Sequence, residues 1–345
     1  MMKKTMNFLV LFAFIAALSI YVSGCEKTTT EAPGDNTALN ALITQSETLI
    51  ASAVEGTSVG YYEVGSKETF QTAIDAAKVV AADATAIQSV IDAAKANLDA
   101  AKTVFENKKI LNVSTDGLVA QWLFNGDATD FTGNGNDGTV KAGDAAFGGG
   151  TPELTTDRFG NENSAYHFDK GGFIDIPYTS AINPQQISIS IWVNADVISE
   201  NNRFMGLQSW NGYKFQLQSV NKAFFTVATD SSIYDKDTDP PLDTLTWYNL
   251  AVTYKSGEMT FYINGEQTQQ YTDVVGNLVS VDAGQDLAIG CGASVYAATA
   301  DNYDVDHIIP AAWGGFFIGK LDDIRLYNRV LTPSEVSSIY NLEKP

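Results

Sequence analysis

The sequence predicts a small all-α three-helix bundle followed by one all-β jelly-roll sandwich. Three observations predict it. Apolar residues recur at three- and four-residue steps from Asn36 to about residue 110; beyond Ile110 the period drops to two; and the β-patterned segments are short and parted by Gly, Asn and Asp clusters.

The chain opens on MMKK, the apolar run FLVLFAFIAALSIYV and then VSGC, ending at Cys25. A basic start, a short apolar run and small residues before a cut describe a secretory signal over residues 1–24, too short and wrongly flanked for a membrane span. An uncleaved anchor is the alternative. V-S-G-C resembles the lipobox of bacterial lipoproteins, which implies that Cys25 becomes the lipid-bearing N-terminus and moors the protein at the envelope. Glu26 is not the Asp associated with inner-membrane retention, so an outer-membrane position is expected, with the periplasmic and the surface-exposed orientation both open. With Cys25 lipidated, Cys291 has no disulfide partner; in the apolar segment DLAIGCG it reads as a buried small hydrophobe.

Loss of residues 1–24 removes Lys3 and Lys4 and no acid, so the formal charge of -20 becomes -22. Such a chain repels phosphate backbones, anionic lipid head groups and polyanionic glycans. Nucleic acid is excluded, the membrane is met through the lipid anchor alone, and neutral polysaccharides, cations and basic proteins remain as partners.

Residues 25–35 are short and polar, as a tether is. The bundle occupies 36–110. Its first helix buries Leu39, Leu42, Ile43, Leu49, Ile50 and Ala53; a second starts at Ser66, which can cap it, and buries Phe70, Ile74 and Ala77. A third follows Thr85, whose hydroxyl with Gln88 makes a capping box, and buries Ile87, Val90, Ile91, Ala94, Leu98, Ala101 and Phe105. GYYEVGSKETFQTAIDAAK resembles the FIVAR-type three-helix modules of bacterial surface proteins, which implies a spacer or stalk; Tyr61 and Tyr62 either pack the bundle's end or touch a ligand.

From 112 to 345, LVAQWLF, FIDIPY, SISIWVNA, YKFQLQS, KAFFTVAT, WYNLAVTYK, MTFYING, DLAIGC and GKLDDIRLYN read as strands. The Asn-Gly pair of INGE, 263–266, makes a tight hairpin of the segments on either side. Five blocks in order, DGLVAQWLFNGDATDFTGNGNDGTV, NSAYHFDKGGFIDIP, ISISIWVNA, WYNLAVTYKSGEMTFYINGE and GKLDDIRLYNRVLTPSEVSSIYN, resemble a laminin-G-type, concanavalin A-like jelly roll. This implies a lectin-like fold whose members mostly bind glycans or proteins.

The loop DFTGNGNDG offers Asp130, Asn134, Asn136 and Asp137 between Gly-permitted turns. Six to eight converging oxygens make a Ca²⁺ site, and the same residue types make polar turns, so both readings stand on composition. Related jelly rolls with D-x-S-G-N-x-N-x-G here often hold a structural Ca²⁺ with an acid from the last strand, which implies Asp322 or Asp323, with Asp322 preferred. Thr132 stands where the usual Ser would be, and position 137 varies in such motifs.

Trp122, Trp192 and Trp247 lie in strand-patterned blocks and are expected in the core. Trp210 and Tyr213 flank a turn in SWNGYKF. A long connection, 292–315, carries Tyr296, Tyr303, His307 and Trp313, with Asp301, Asn302, Asp304 and Asp306 among them. Aromatic faces suit the C–H faces of sugars while carboxylates and amides take their hydroxyls, so these aromatics either contact a ligand or pin loops to the sandwich. SSIYDKDTDPPLD reads as a solvated acidic turn.

No E-x-D-x-x-E run, G-x-S-x-G elbow or phosphate loop is present, and two His residues exclude a multi-His centre. The expected function is non-catalytic capture of a polysaccharide by a cell-surface lipoprotein. An adhesin or scaffold for proteins is the second reading, and a glycan-cleaving enzyme the third.

Overall fold

The computed structural model describes residues 31–143, 145, 148–281, 285–292 and 315–345. Helices α1 (Thr37–Ser52), α2 (Ser66–Ala82) and α3 (Gln88–Asn107) come first. Their expected apolar stripes meet in one cluster containing Leu39, Leu42, Ile43, Phe70, Ile74, Ala77, Ile91, Leu98 and Phe105. Tyr62 closes the end of the bundle by stacking on Phe105 at 4.5 Å.

The helix starts differ from the expected ones. Gly65, at φ 89, precedes α2, and the Glu55 carboxylate of the previous loop accepts from Lys67 N at 2.7 Å. A tertiary acceptor therefore satisfies what Ser66 was expected to cap. Thr85 gives its hydroxyl to Asp83 at 2.7 Å, so its capping box does not form, and α3 starts after Ile87.

The strands are β1 (Leu118–Trp122), β2 (Thr139–Lys141), β3 (Glu153–Thr155), β4 (Ala165–Phe168), β5 (Phe173–Ile176), β6 (Ile187–Ala195), β7 (Asn202–Leu207), β8 (Tyr213–Gln218), β9 (Lys222–Ala228), β10 (Ile233–Asp237), β11 (Tyr248–Lys255), β12 (Glu258–Ile263), β13 (Glu266–Tyr271), β14 (Leu287–Ile289) and β15 (Gly319–Tyr327). An eight-stranded sheet runs β13-β12-β11-β6-β15-β4-β3, with β1 also on β15; a seven-stranded sheet runs β10-β9-β8-β7-β14-β5-β2. All pairs are antiparallel, and β12 and β13 form the expected hairpin, with Asn264 at φ 51 and Gly265 at φ 78 in its turn. The stretch read as an acidic turn contains edge strand β10, whose half-exposed, polar sequence lacks an apolar face.

Alternation puts Ile189, Ile191, Phe204, Phe215, Phe225, Val252 and Phe261 between the sheets. Trp122 joins them. Trp192 is equally buried but points outward, under the last helix, α4 (Pro333–Glu343), where it stacks on Tyr340 at 5.9 Å. Trp247, expected in the core, is only half-buried just before β11.

A Thr332–Glu335 capping box with Pro333 in the first turn starts α4. Val336 and Ile339 then pack with Ala251, Tyr262 and Tyr327 on the outer face of the eight-stranded sheet. The helix's other side holds the bundle. Glu63 accepts from Asn341 Nδ2 at 2.9 Å and from Ser337 Oγ, Asn107 Oδ1 accepts from Ser334 Oγ at 2.9 Å, and Ser338 Oγ accepts from Leu111 N at 2.7 Å. Lys108 pairs with Glu63 at 3.1 Å and with Glu266.

Candidate functional site: the outer face of the seven-stranded sheet

With one sheet backed by α4, the outer face of the other carries the residues best placed for chemistry. In β8, Tyr213, Phe215 and Leu217 turn inward, so Lys214 and Gln216 turn outward; in β9, Phe224 and Thr226 do the same. Registry puts Arg203 of β7 beside Gln216 and Asp235 of β10 beside Thr226.

A polar relay crosses three strands. Lys214 Nζ donates to Thr226 Oγ1 at 2.6 Å, and Thr226 Oγ1 donates to Asp235 Oδ1; Arg203 Nε donates to Gln216 Oε1 at 3.1 Å. Trp210, in the single turn between β7 and β8, lies over this row half-buried. Lys214 Nζ stands 4.8 Å from its ring and 4.6 Å from the Phe224 ring, and Arg203 Cζ stands 4.8 Å from the same indole. Burial, aided by the Arg203 charge and opposed by Asp235, holds the Lys214 ammonium down at about 7; burial also lowers Arg203.

Beside this row, Phe173, Ala288, Cys291 and Phe316 form an apolar patch. Burial pushes the Cys291 thiol up to about 12, which fits an inert packing residue. Gly292 and Gly315, the ends of the long connection, are hydrogen-bonded to each other at 3.1 Å; a Cβ on either would come within 2.6 Å of Arg203. A larger residue at either place would have to displace the Arg203 side chain, and the positive φ of Gly315, +110, favours glycine there in any case.

Of the expected ligand residues, Trp210 lies on this face. Tyr213 does not: it is fully buried between the sheets, its hydroxyl donating to Ile182 O at 2.8 Å, because it shares the inward phase of Phe215 and Leu217. Tyr296, Tyr303, His307 and Trp313, with their neighbouring acids, lie outside the described residues, as does Cys25. Arg203, Lys214, Gln216, Thr226 and Asp235 were not singled out from sequence, although the alternation in YKFQLQ and KAFFTVA signals their shared face.

The Asp130 loop does come together. Asp130 Oδ1 accepts from Gln121 N at 3.0 Å, Thr132 N at 3.0 Å and Thr132 Oγ1 at 2.7 Å, and Oδ2 from Asn136 N at 3.2 Å and Asn136 Nδ2 at 3.3 Å. Asp137 accepts from Asp130 N at 2.8 Å, and Asn134 donates to Val119 O at 2.9 Å. Burial works to raise the Asp130 pKa, but these donors outweigh it and hold the carboxyl below its usual range. Asp322, expected to complete the set, instead pairs with Arg158 at 2.5 Å, buried in the outer face under α4; Asp323 takes the other arm of the same guanidinium at 2.5 Å. The loop as folded thus aims N–H and O–H hydrogens at both Asp130 carboxylate oxygens, and Asp322 is not part of it. Among the described residues, no group of three or more His, Cys, Asp or Glu is placed to hold a metal.

Two antiparallel sheets packed face to face, one backed by a helix, define a jelly-roll sandwich. Residues 168–337 match the family described as the Concanavalin A-like lectin/glucanases superfamily, and the sandwich is accordingly a concanavalin A-like domain. Among solved structures, the chain is similar to domain 4 of the extracellular arabinanase AbnA from Geobacillus stearothermophilus in complex with arabinotriose, at 23% identity over 65% of this chain and 98% of that one, TM-score 0.49. It is also similar to the binding domain of Paraclostridial Mosquitocidal Protein 1, at 16% identity over 65% and 52% of the two chains, TM-score 0.44. The receptor binding domain of botulinum neurotoxin mosaic serotype C/D gives 16% identity over 66% and 51%, TM-score 0.45. The chain spans about half the length of those two toxin domains. A search of curated proteins found no match.

Proposed function

We propose that this protein is a non-catalytic, carbohydrate-binding lipoprotein of the bacterial envelope that captures polysaccharide on the outer face of its seven-stranded sheet. One observation carries the reading: a half-exposed indole, Trp210, is fixed on the outer face of the seven-stranded sheet by two buried cations against its ring, a platform that suits a sugar's apolar face. The lectin-type fold of the matched region supports it. The relay Lys214–Thr226–Asp235 holds its polar atoms in internal hydrogen bonds, and only one carboxylate takes part, where hydrolysis by the usual route needs two across the bond.

The VSGC sequence supports lipidation at Cys25, and the three-helix module, FIVAR-like in sequence, supports a spacer between membrane and sandwich. Because α4 and the bundle sit on the other sheet, the Trp210 face points away from them. Affinity electrophoresis against a polysaccharide panel tests the binding. Retardation abolished by Trp210→Ala, with the melting temperature unchanged, supports it; capture of an envelope protein with no glycan retained favours the adhesin, and new reducing ends favour an enzyme. Release of Cys25→Ala from the membrane fraction tests the anchor.

A further inference from the structure

One end of the sandwich is apolar where water reaches it. Three connections meet there, residues 196–201 after β6, 219–221 after β8 and 238–247 before β11, and hydrogen bonds stitch them together. Leu242 N donates to Asn221 O at 3.0 Å, Asn221 Nδ2 to Leu242 O at 2.8 Å, Leu245 N to Ala195 O at 2.8 Å and Gln216 Nε2 to Glu200 O at 3.3 Å. From these loops Val197, Ile198, Val220 and Leu245 reach into water, the last three 62%, 58% and 72% exposed. They are half of the eight large hydrophobics exposed among the described residues of the sandwich, so they form a concentration at one end. Trp247, half-buried two residues beyond Leu245, belongs to the same end.

Folding alone does not account for them. Val220 has φ 56 and Leu245 φ 57, left-handed backbone that residues other than Gly, Asn and Asp seldom adopt. The buried Asn221 and Leu242 fix the two loops, and each loop then presents an aliphatic side chain outward from a strained position. Charge narrows what could cover them. The three connections hold four acids, Asp196, Glu200, Asp239 and Asp243, and no Lys or Arg. Asp239 is engaged by Lys222 at 2.8 Å and Asp196 by His167 at 2.8 Å, while Glu200 and Asp243 are exposed and form no ion pair among the described residues.

We infer that this end of the sandwich docks a basic segment of a partner protein, whose Leu or Ile side chains cover Val197, Ile198, Val220 and Leu245 while its cations meet Glu200 and Asp243. An aliphatic centre edged by acid complements apolar side chains flanked by Lys or Arg. A second copy of this chain, at a formal charge of -20, brings like charge, and anionic lipid head groups are repelled as well. Strand β8 parts this surface from the glycan face, with Trp210 before the strand and Val220 after it, so the inference does not rest on glycan binding.

The test is fluorescence anisotropy of the full chain with three labelled peptides of equal length, one of Leu and Lys, one of Leu and Glu and one of Ser and Lys. The Leu–Lys peptide is expected to bind about tenfold more tightly than either of the others. Ile198→Ser and Leu245→Asn, the latter at ease with a positive φ, are each expected to weaken it about tenfold. Val79→Ser, which alters an equally exposed aliphatic residue on α2, is expected to leave it unchanged. Glu200→Gln with Asp243→Asn is expected to weaken it about threefold and to flatten its dependence on salt. Failure of the Leu–Lys peptide to bind, equal binding of the Ser–Lys peptide, or binding indifferent to Ile198→Ser and Leu245→Asn overturns the inference. Dimerisation, or flotation of the Cys25→Ala chain with phosphatidylcholine vesicles, that Ile198→Ser abolishes also overturns it, and gives the surface to a second copy or to lipid. The order of the three peptides on the unaltered chain tests the chemistry even where a variant does not fold.

Discussion

Replacing Lys214 with Met removes a buried charge while keeping an unbranched side chain of similar length. Lys214 is 2% exposed and is held at about 7 instead of 10.5, chiefly by burial. At about 1.4 kcal/mol per pH unit, keeping it charged in the fold at pH 7 costs on the order of 4 kcal/mol. The folded value lies below the unfolded one, so between pH 7 and 10.5 the unfolded chain holds a proton that the folded chain has released, and stability rises with pH across that window. By about pH 9 the cost falls to roughly 2 kcal/mol. The variant has no such group. Contacts to the two rings, on the order of 1 kcal/mol each, offset part of its gain. Urea unfolding of both proteins from about pH 6 to about pH 9 is expected to show the variant's advantage shrinking by about 2 kcal/mol as pH rises from 7 to 9. Parallel profiles would refute the reasoning, because a lysine that stays protonated over this range pays no such penalty.

Arg158→Met leaves Asp322 and Asp323 without their shared guanidinium and strips the cation from Trp192, 4.5 Å away. A loss of about 3 to 5 kcal/mol is expected in denaturant unfolding, as for other buried pairs broken on one side; a loss below about 1 kcal/mol would show that water enters the site. Chelation by EDTA is expected to leave the melting temperature unchanged, since N–H and O–H donors already occupy both Asp130 oxygens. A fall reversed by Ca²⁺ would show instead that an ion holds the loop.

The period change near Ile110 and the alternation of nine segments were enough to read the bundle and most of the sandwich, because burial on one side of a strand writes itself directly into sequence. Short edge strands such as β10 escaped notice, since an edge exposed to water needs no apolar phase. Trp210 and Tyr213 looked alike beside a turn; phase with Phe215 separates them, one on the outer face and the other inside. The cations were harder to read. Arg203, Lys214 and Asp235 come from three strands, and their meeting depends on the order β7-β8-β9-β10, which pairing over long distances sets. The helix caps failed for a similar reason: Glu55, from outside the expected motif, accepts from the amide at the start of α2, and Asp83 engages the Thr85 hydroxyl that was assigned to cap α3.

The contacts that seat the bundle reach far along the chain: Glu63 and Ser337 are 274 positions apart. During synthesis the three helices leave the ribosome early and can close their own small core, yet their docking surface does not exist until α4 has been made and laid on its sheet. Assembly of the two parts is therefore ordered in time, with the last helix acting as the latch.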